Sequence, residues 1–343
     1  MNEISPIAPA PPPATRPEDW ASDQEVRWCP GCGDYAILKA VQRVMPELGA
    51  DPARTVFISG IGCSSRFPYY METYGFHTIH GRAPAIATGV KLANPELDVW
   101  IVTGDGDGLS IGGNHMLHLL RRNLDCQLLL FNNEIYGLTK GQASPTSRLG
   151  TRTPTTPYGS IDRPVKPCEF ALGSGARFVA RTIDTAQKQM PEVLKRAYAH
   201  KGTSFVEIYQ NCVVYNDGVF EAFAARAAAA GAQLWLEHGK PMLFAGGTRG
   251  LTLDRERLLL QVIEVTPETL PRVIVHDETN RSVAHMLINM RFPEFPVALG
   301  VIYCDPRPSF ETVVAEQVEK ATAGKVADLA ALLRRGQTWE VSP

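Results

Sequence analysis

The chain has 343 residues, of which 44% are hydrophobic and 20% charged, and its formal net charge is −2. This composition is ordinary for a globular protein, and the near-neutral charge gives no electrostatic reason to expect nucleic acid or an anionic membrane as a partner. No apolar run approaches the roughly 18 to 20 residues that span a bilayer.

The N-terminal residues 1–24 are rich in Pro and Ala and lack the basic and apolar regions of a secretory signal. They predict an extended arm, and the missing signal predicts a cytoplasmic protein whose thiols are reduced. The seven cysteines are therefore expected to be ligands, nucleophiles or core residues rather than disulfides.

A CxxC pair, Cys29 and Cys32 in the segment WCPGCGD, precedes a predicted amphipathic helix over residues 36–45 that Pro46 ends. Such a pair is typical of a thioredoxin-like redox site, of half a zinc site, or of two ligands of an iron–sulfur cluster. The chain has no second CxxC or HxxxH pair to complete a zinc site. No strand is predicted before the motif, as a thioredoxin-like site would require.

A buried strand is predicted over residues 55–59, and it leads into the segment GIGCSSRF. Cys63 lies just past the strand end beside glycines, where it can meet a ligand or serve as a small core residue, and both readings stay open. His80 precedes a glycine turn and can contact a cofactor phosphate, although a lone histidine is more often structural.

The central stretch predicts a parallel strand–helix–strand crossover. A strand over residues 99–102 ends in a sharp turn at 104–106, and Met116, Leu119 and Leu120 share one face of the following helix. A second strand over 126–131 ends at two asparagines. The crossover brings Asp105 and Asn133 to the same edge of the sheet, where open α/β sheets bind ligands.

The residues at this edge fit a metal-bound diphosphate. A carboxylate, an amide oxygen and a backbone carbonyl just past Asn133 are hard oxygen ligands for Mg²⁺. Gly106 and Gly108 let the backbone approach phosphate oxygens, and the following helix offers its N-terminal N–H groups. The alternative is that GDG and NN are two plain turns, which is less favoured because they bound one crossover.

The second half of the chain predicts further elements. Residues 141–166, rich in Ser, Thr, Pro and Gly, predict a long surface loop over the strand ends. Helices are predicted over 185–200 and 221–230. A last buried strand over 204–209 leads to Cys212, which lies past a strand end as Cys63 does.

From residue 233 to 343 we expect a small C-terminal lobe and tail, with short strands over 241–245 and 272–276 and a helix over 310–320. Cys126 lies inside a strand, Cys168 in the long loop and Cys304 in this lobe. We interpret these three cysteines as structural or incidental.

The segments WCPGCGD, GIGCSSRF, HGRAPAIATG, TGDGDG and FNNEIYGLTKGQ, followed by Cys212, together resemble the β subunit of the bacterial and archaeal 2-oxoacid:ferredoxin oxidoreductases over about residues 25–300. The resemblance implies an α/β thiamine-diphosphate-binding fold, a parallel sheet flanked by helices, with the diphosphate-binding domain over residues 25–232. It also implies three cofactors, which are thiamine diphosphate, Mg²⁺ and one [4Fe–4S] cluster.

The resemblance assigns a role to each candidate residue. It implies that Asp105, Asn133 and the carbonyl of Ile135 bind Mg²⁺, that Gly106, Asp107, Gly137 and Leu138 lie along the diphosphate, that Ile61, Gly62, Cys63, Ser64 and His80 line the thiamine site, and that Cys29, Cys32, Cys63 and Cys212 bind the cluster. Many family members carry a small residue at Asp107. A second carboxylate there repels phosphate unless it is hydrogen-bonded.

The implied activity is oxidative decarboxylation of a 2-oxoacid with coenzyme A, giving acyl-CoA and CO₂, with electrons passing through the cluster to ferredoxin. Because the chain has one cofactor core, we expect an α subunit with the pyrimidine-binding domain and an (αβ)₂ assembly. Arg66 and Lys140 are candidates for the carboxylates of a dicarboxylate substrate such as 2-oxoglutarate. The alternatives are pyruvate or broad 2-oxoacid specificity, a non-redox thiamine decarboxylase subunit, and a non-catalytic iron–sulfur electron carrier.

Overall fold

The computed structural model describes residues 16–325 and 328–341. Its strands are β1 (Thr55–Ser59), β2 (Tyr74–His77), β3 (Asp98–Gly104), β4 (Cys126–Asn132), β5 (Ile135–Tyr136), β6 (Gln142–Ala143), β7 (Phe178–Ile183), β8 (Thr203–Tyr209), β9 (Gln233–Leu236), β10 (Leu243–Phe244), β11 (Arg249–Asp254), β12 (Leu259–Glu264) and β13 (Val297–Cys304). Its α-helices are α1 (Asp34–Glu47), α2 (Ala83–Ala93), α3 (Asp105–Leu109), α4 (Gly113–Arg122), α5 (Pro167–Gly173), α6 (Met190–Ala199), α7 (Glu221–Ala224), α8 (Arg226–Ala232), α9 (Arg281–Asn289), α10 (Phe310–Thr322) and α11 (Leu329–Leu333).

The main sheet of the described chain has the strand order β2-β1-β3-β4-β8-β7-β13-β9. Neighbouring strands from β2 to β7 are parallel. Strand β13 runs antiparallel to β7 and pairs in parallel with β9. The predicted fold class, an α/β protein with a parallel sheet flanked by helices, is confirmed for most of the sheet.

Two hydrophobic cores cover the faces of the sheet, because successive side chains of a strand point to opposite faces. On β3, Ile101 packs in the core that contains residues of α2, α4, α5 and α9. Its neighbours Trp100 and Val102 pack in the core that contains residues of α1 and α6. With both faces covered, a ligand meets the sheet at the carboxyl ends of its parallel strands.

The strands predicted over residues 55–59, 99–102, 126–131 and 204–209, and the helix predicted over 310–320, are confirmed. The helix predicted over 185–200 begins later, at Met190. Residues 105–109 form the short helix α3, so the predicted turn at 104–106 is the entry into a helix. None of the helices in the described ranges is both long and apolar enough to cross a membrane.

Other predicted elements are wrong in part. Helix α1 continues one residue past Pro46 and ends at Glu47. The alanine-rich helix breaks at Ala225, where ψ is 136°. Among the described residues, the predicted strand over 272–276 is reduced to an isolated bridge between Val275 and Pro241. Cys168 is buried in α5 rather than placed in the loop.

Strand pairing crosses the predicted domain boundary between residues 232 and 233. Strands β9 and β13 belong to the main sheet, whereas β10, β11 and β12 form a separate antiparallel sheet. The division into a domain over 25–232 and a lobe over 233–343 stays a prediction.

The N-terminal segment that precedes the CxxC motif packs against the body of the protein. Trp20 is fully buried, and its carbonyl accepts a hydrogen bond from the backbone N–H of Glu72 at 3.0 Å. Ala21 forms an isolated antiparallel bridge with Met71. The predicted arm over 1–24 is therefore docked from Trp20 onward, and its residues 1–15 lie outside the described residues.

Replacing Trp20 by Ala should lower the free energy of unfolding by ~3–5 kcal/mol, because it leaves a cavity beneath the N-terminal segment. Denaturant unfolding of the purified chain measures this loss. Trp339→Ala is the matched control, since Trp339 is 84% exposed and its truncation should change the free energy by less than about 0.5 kcal/mol. Equal effects of the two substitutions would contradict the buried position of Trp20.

Candidate cofactor site

A cavity of about 400 Å³ lies at the carboxyl ends of β1, β3, β4 and β8. The predicted site residues that line it are Ile61, Cys63, Ser64, His80, Asp105, Gly106, Asp107, Asn133, Ile135, Gly137 and Leu138. A larger cavity of about 850 Å³ lies beside α7 and α8 and contains none of the predicted site residues. The smaller cavity is the candidate site, because the predicted site residues, which come from distant parts of the sequence, converge there.

Asp105 begins helix α3 at the end of β3 and is 2% exposed. The Thr146 hydroxyl donates to Asp105 Oδ2 at 2.6 Å. Burial raises the pKa of the Asp105 carboxyl, and hydrogen bonds from the side chains of Ser144 and Thr146 oppose the rise. The crossover thus delivers a buried, oriented carboxylate to the cavity, of the kind that binds Mg²⁺.

The loop over residues 141–166 packs hydroxyl groups against this site. Ser144, Thr146 and Ser147 are buried, and the Ser147 hydroxyl donates to the Glu134 carbonyl at 2.5 Å. The sequence does not predict these contacts, because hydroxyl side chains in a loop follow no period. The signal that could have identified these residues is the clustering of hydroxyl side chains soon after the NN segment.

The two asparagines after β4 have different partners. Asn132 donates from Nδ2 to Glu207 Oε1 at 2.8 Å, inside the sheet. Asn133 donates from Nδ2 to Gln210 Oε1 at 2.9 Å and accepts at Oδ1 from the Ile135 N–H at 3.1 Å. The amide of Asn133 is therefore held at the cavity wall, one residue before the turn that presents the Ile135 carbonyl.

Asp107 is a buried acceptor that joins two loops. Its donors are the backbone N–H groups of Ile61 at 3.0 Å and Gly81 at 2.7 Å, His80 Nδ1 at 2.7 Å and the Thr103 hydroxyl at 2.6 Å. A Cβ on Gly60 would lie 1.9 Å from Asp107 Oδ2, so this approach requires glycine. Four hydrogen-bond donors offset the negative charge of the Asp107 carboxylate. Because it is hydrogen-bonded, this carboxylate can lie beside a phosphate despite their repulsion.

Two of the predicted cluster cysteines lie against the cavity wall. A Cβ built on Gly137 would lie 3.5 Å from the Cys212 Sγ and 3.6 Å from the Cys63 Sγ. Burial raises the pKa of the Cys63 thiol to about 12, and the neighbouring charges of Asp34, Cys212 and Cys29 add to the rise. The sulfurs of Cys63 and Cys212 therefore lie close together beside Gly137, and Gly137 and Cys63 both line the cavity.

The CxxC loop belongs to the same neighbourhood. Cys32 accepts at Sγ from Gln210 Nε2 at 3.2 Å, and its backbone N–H donates to the Cys29 carbonyl at 3.0 Å. The Trp28 indole N–H donates to the Cys63 carbonyl at 2.7 Å and ties this loop to the next. Within residues 16–325 and 328–341, no group of three or more His, Cys, Asp or Glu side chains is arranged to hold a metal ion.

Asp34, the last residue of the WCPGCGD segment, lines the cavity, although the sequence predicted no role for it. It is 1% exposed, and neither carboxylate oxygen has a hydrogen-bond partner among the described residues. Burial raises the pKa of Asp34 to about 7, the neighbouring Cys32 thiol opposes the rise, and the charge of Asp184 adds to it.

The two substrate candidates lie outside the cavity lining, as does Gly62. Arg66 is half-buried on the 3₁₀ helix Ser64–Tyr70, and Lys140 is exposed with a φ of 77°. The backbone N–H of Arg66 donates to the Cys63 carbonyl at 3.2 Å, and burial raises the pKa of the Cys63 thiol while the Arg66 charge opposes the rise. Their contact with a substrate stays a prediction.

The chain matches a known family model and is similar to named relatives. The family model described as thiamine pyrophosphate enzyme, C-terminal TPP binding domain, matches residues 60–208. The 2-oxoglutarate oxidoreductase subunit KorB of Mycobacterium tuberculosis is 47% identical over 330 residues, which are 94% of this chain and 88% of that protein. The β subunit of 2-oxoacid:ferredoxin oxidoreductase 1 of Aeropyrum pernix is 50% identical over 202 residues, which are 59% of this chain and 62% of that protein.

A solved structure shows the same fold. The 2-oxoglutarate:ferredoxin oxidoreductase from Magnetococcus marinus, with 2-oxoglutarate, coenzyme A and succinyl-CoA bound, has a TM-score of 0.77 and 33% sequence identity to this chain. The match covers 95% of this chain and 98% of that chain. Together with the match to a thiamine pyrophosphate enzyme domain, these relationships confirm the predicted family: the chain is an oxidoreductase subunit and belongs to the β subunits of the 2-oxoacid:ferredoxin oxidoreductases.

Proposed function

We propose that this chain, with an α subunit, carries out the coenzyme A-dependent oxidative decarboxylation of a 2-oxoacid, preferably 2-oxoglutarate, to acyl-CoA and CO₂. Thiamine diphosphate with Mg²⁺ would occupy the 400 Å³ cavity, and one [4Fe–4S] cluster would pass electrons to ferredoxin. The observation that carries the proposal is Gly137, which lines the cavity and lies against the sulfurs of Cys63 and Cys212.

The cavity residues fit a diphosphate held by Mg²⁺. The ligands would be Asp105, Asn133 and the Ile135 carbonyl, with Gly106, Asp107, Gly137 and Leu138 along the diphosphate and Ile61, Gly62, Cys63, Ser64 and His80 around the thiamine. A Cβ on Gly106 would lie 2.3 Å from the Tyr136 ring, whose hydroxyl donates to the Gly106 carbonyl at 2.9 Å, so only glycine lets this tyrosine pack against the backbone of the cavity wall. Bound thiamine diphosphate supplies the electron sink for decarboxylation.

The four cysteines fit a [4Fe–4S] cluster by their donor chemistry. Each iron of such a cluster takes one thiolate, so four ligands surround a volume rather than a single point. Cys29, Cys32, Cys63 and Cys212 come from three loops at the same edge of the sheet, next to the cavity. A [4Fe–4S] cluster accepts electrons one at a time. A cluster close to the thiamine would therefore take up, in single steps, the electrons that remain on the cofactor after CO₂ leaves.

The substrate preference is supported by the relatives, and it predicts a role for two cations. Arg66 and Lys140 would contact the carboxylates at the two ends of a dicarboxylate, since a desolvated carboxylate without a partner is costly. The Mycobacterium tuberculosis relative is named for 2-oxoglutarate, and the Magnetococcus marinus structure contains it. Pyruvate or a broad range of 2-oxoacids is the alternative.

Two other functions use only half of the site. A non-redox thiamine decarboxylase subunit needs the residues around Asp105 and Asn133 but no cysteines at the cavity wall. A non-catalytic electron carrier needs the cysteines but no diphosphate cavity. Gly137 lines the cavity and lies beside the Cys63 and Cys212 sulfurs. This proximity favours the oxidoreductase, because that activity uses the cavity and the cysteines together.

Purified without air, the complex should contain about four iron atoms per copy of this chain and a visible absorbance that dithionite bleaches. Cys212→Ala should lose most of the iron, because the cluster would lack one thiolate. Cys304→Ala is the matched control, since Cys304 is a buried cysteine at the end of β13 and should leave the iron content unchanged. Full iron retention in Cys212→Ala would remove Cys212 from the ligand set.

The isolated chain should not catalyse thiamine-dependent decarboxylation, because it carries the diphosphate-binding half of the cofactor site and an α subunit supplies the pyrimidine-binding half. The measurement is CO₂ release from 2-oxoglutarate by this chain with and without α, together with light scattering to establish the mass of the complex. An (αβ)₂ mass and activity only in the complex are expected. Activity of the chain alone would refute the proposal of a divided site.

Arg66→Ala or Lys140→Ala should lose ~1.5–3 kcal/mol of transition-state stabilisation on 2-oxoglutarate and less on pyruvate, as for a charged hydrogen bond to the distal carboxylate. The measurement is kcat/KM for both substrates in the wild type and both variants. Equal losses on the two substrates would move the residue to the carboxylate they share, or to the cofactor. A wild type that prefers pyruvate would defeat the substrate proposal.

A further inference from the structure

One buried amide connects the two halves of the proposed site. Gln210 directly follows β8 and is 1% exposed. Its Oε1 accepts from Asn133 Nδ2 at 2.9 Å. Its Nε2 donates to the Cys32 Sγ at 3.2 Å and to the Asn211 carbonyl at 2.6 Å. The same side chain therefore contacts a proposed magnesium ligand and a proposed cluster ligand.

The surrounding backbone fixes the orientation of both amides. The Asn211 carbonyl is an acceptor, so the Gln210 group that faces it at 2.6 Å must be the nitrogen. The Ile135 N–H is a donor, so the Asn133 group that faces it at 3.1 Å must be the oxygen. Turning either amide around would place two donors or two acceptors together.

Resting on the proposed function, we propose that Gln210 is a positioning residue that acts on both cofactors: it donates a hydrogen bond to the Cys32 thiolate of the cluster and orients Asn133 toward Mg²⁺. Both N–H groups of its amide are used, one on sulfur and one on the Asn211 carbonyl. An amide oxygen has two lone pairs, so Asn133 Oδ1 can accept from Ile135 and still offer one to a cation.

The hydrogen bond to Cys32 predicts an effect on the reduction potential of the cluster. Hydrogen bonds to the cluster sulfurs are among the factors that set this potential. A reduced cluster carries one more negative charge, and a donor stabilises it more than the oxidised form. Gln210 should therefore make the cluster easier to reduce, which favours electron flow from the thiamine site.

The contact with Asn133 predicts an effect on cofactor binding. Partners that orient a metal ligand typically contribute 10–100-fold to metal affinity. Removing the Gln210 oxygen should leave the Asn133 amide held by the Ile135 N–H alone, and Mg²⁺–thiamine diphosphate should bind about 10–100-fold more weakly.

Two substitutions separate these effects. Gln210→Leu removes the donor to Cys32 and the acceptor for Asn133 together. Gln210→Glu keeps an oxygen for Asn133 but has no N–H for Cys32. Gln42→Leu is the matched control, because Gln42 on α1 donates its amide to the Tyr70 carbonyl, away from the cavity.

The experiment uses the anaerobically purified complex of this chain with its α subunit. The midpoint potential of the cluster is measured by redox titration followed by electron paramagnetic resonance, and Mg²⁺–thiamine diphosphate affinity by calorimetry on the cofactor-free complex. We expect a more negative potential in both Gln210 variants, weaker cofactor binding in Gln210→Leu alone, and wild-type values in Gln42→Leu. If Gln210→Leu loses iron, the neutral and nearly isosteric Gln210→Met, which also lacks the N–H, decides, because the added charge of Gln210→Glu lowers the potential by itself.

The outcomes distinguish this inference from the proposed function. A wild-type complex without a cluster signal would overturn the cluster assignment and the role of Gln210 with it. A wild-type cluster whose potential is unchanged in the Gln210 variants would overturn the role of Gln210 and leave the proposed function in place.

Discussion

The site depends on a buried carboxylate that ties three neighbouring strands together. Glu207 on β8 is 1% exposed, pairs with Arg181 Nε on β7 at 2.7 Å, and accepts from Asn132 on β4 at 2.8 Å. A buried charge that loses its partner costs about 3–5 kcal/mol, so these contacts fix the ends of the strands relative to one another. Asn133, the next residue along, takes its position at the cavity from this arrangement.

The polar contacts continue from this point to both walls of the cavity. Asn132 Oδ1 lies 3.0 Å from the Thr146 hydroxyl, which in turn donates to Asp105. On the other wall, Asp107 fastens the loop after β1 to the turn at His80. Asp105, Asp107 and Asn133 thus have hydrogen-bond partners behind them, an arrangement that holds side chains near a fixed geometry at a binding site.

The cysteines and the cavity share an edge because of chain topology. The loops that carry Cys63 and Cys212 follow β1 and β8, whose parallel strands end at the same edge as β3 and β4. The CxxC loop reaches this edge from outside the sheet, and the Trp28 indole anchors it to the Cys63 carbonyl at 2.7 Å. The parallel sheet therefore brings the cysteines and the cavity residues, which are far apart in sequence, together at one edge beside Gly137.

The apolar periods of the central crossover and the spacing of Asp105 and Asn133 were enough to predict the fold class and the edge that carries the candidate site, because strand direction follows from a parallel crossover. Strand β7 was not predicted, since Arg181 interrupts its apolar run and its partner Glu207 is adjacent only in the folded sheet. Thr146 contacts Asp105 across 41 positions of sequence. Hydrogen bonds between such distant residues leave no periodic signal. The sequence therefore determined the strands of the central crossover and the residue types at their ends, and only the tertiary structure decided which of those polar groups meet.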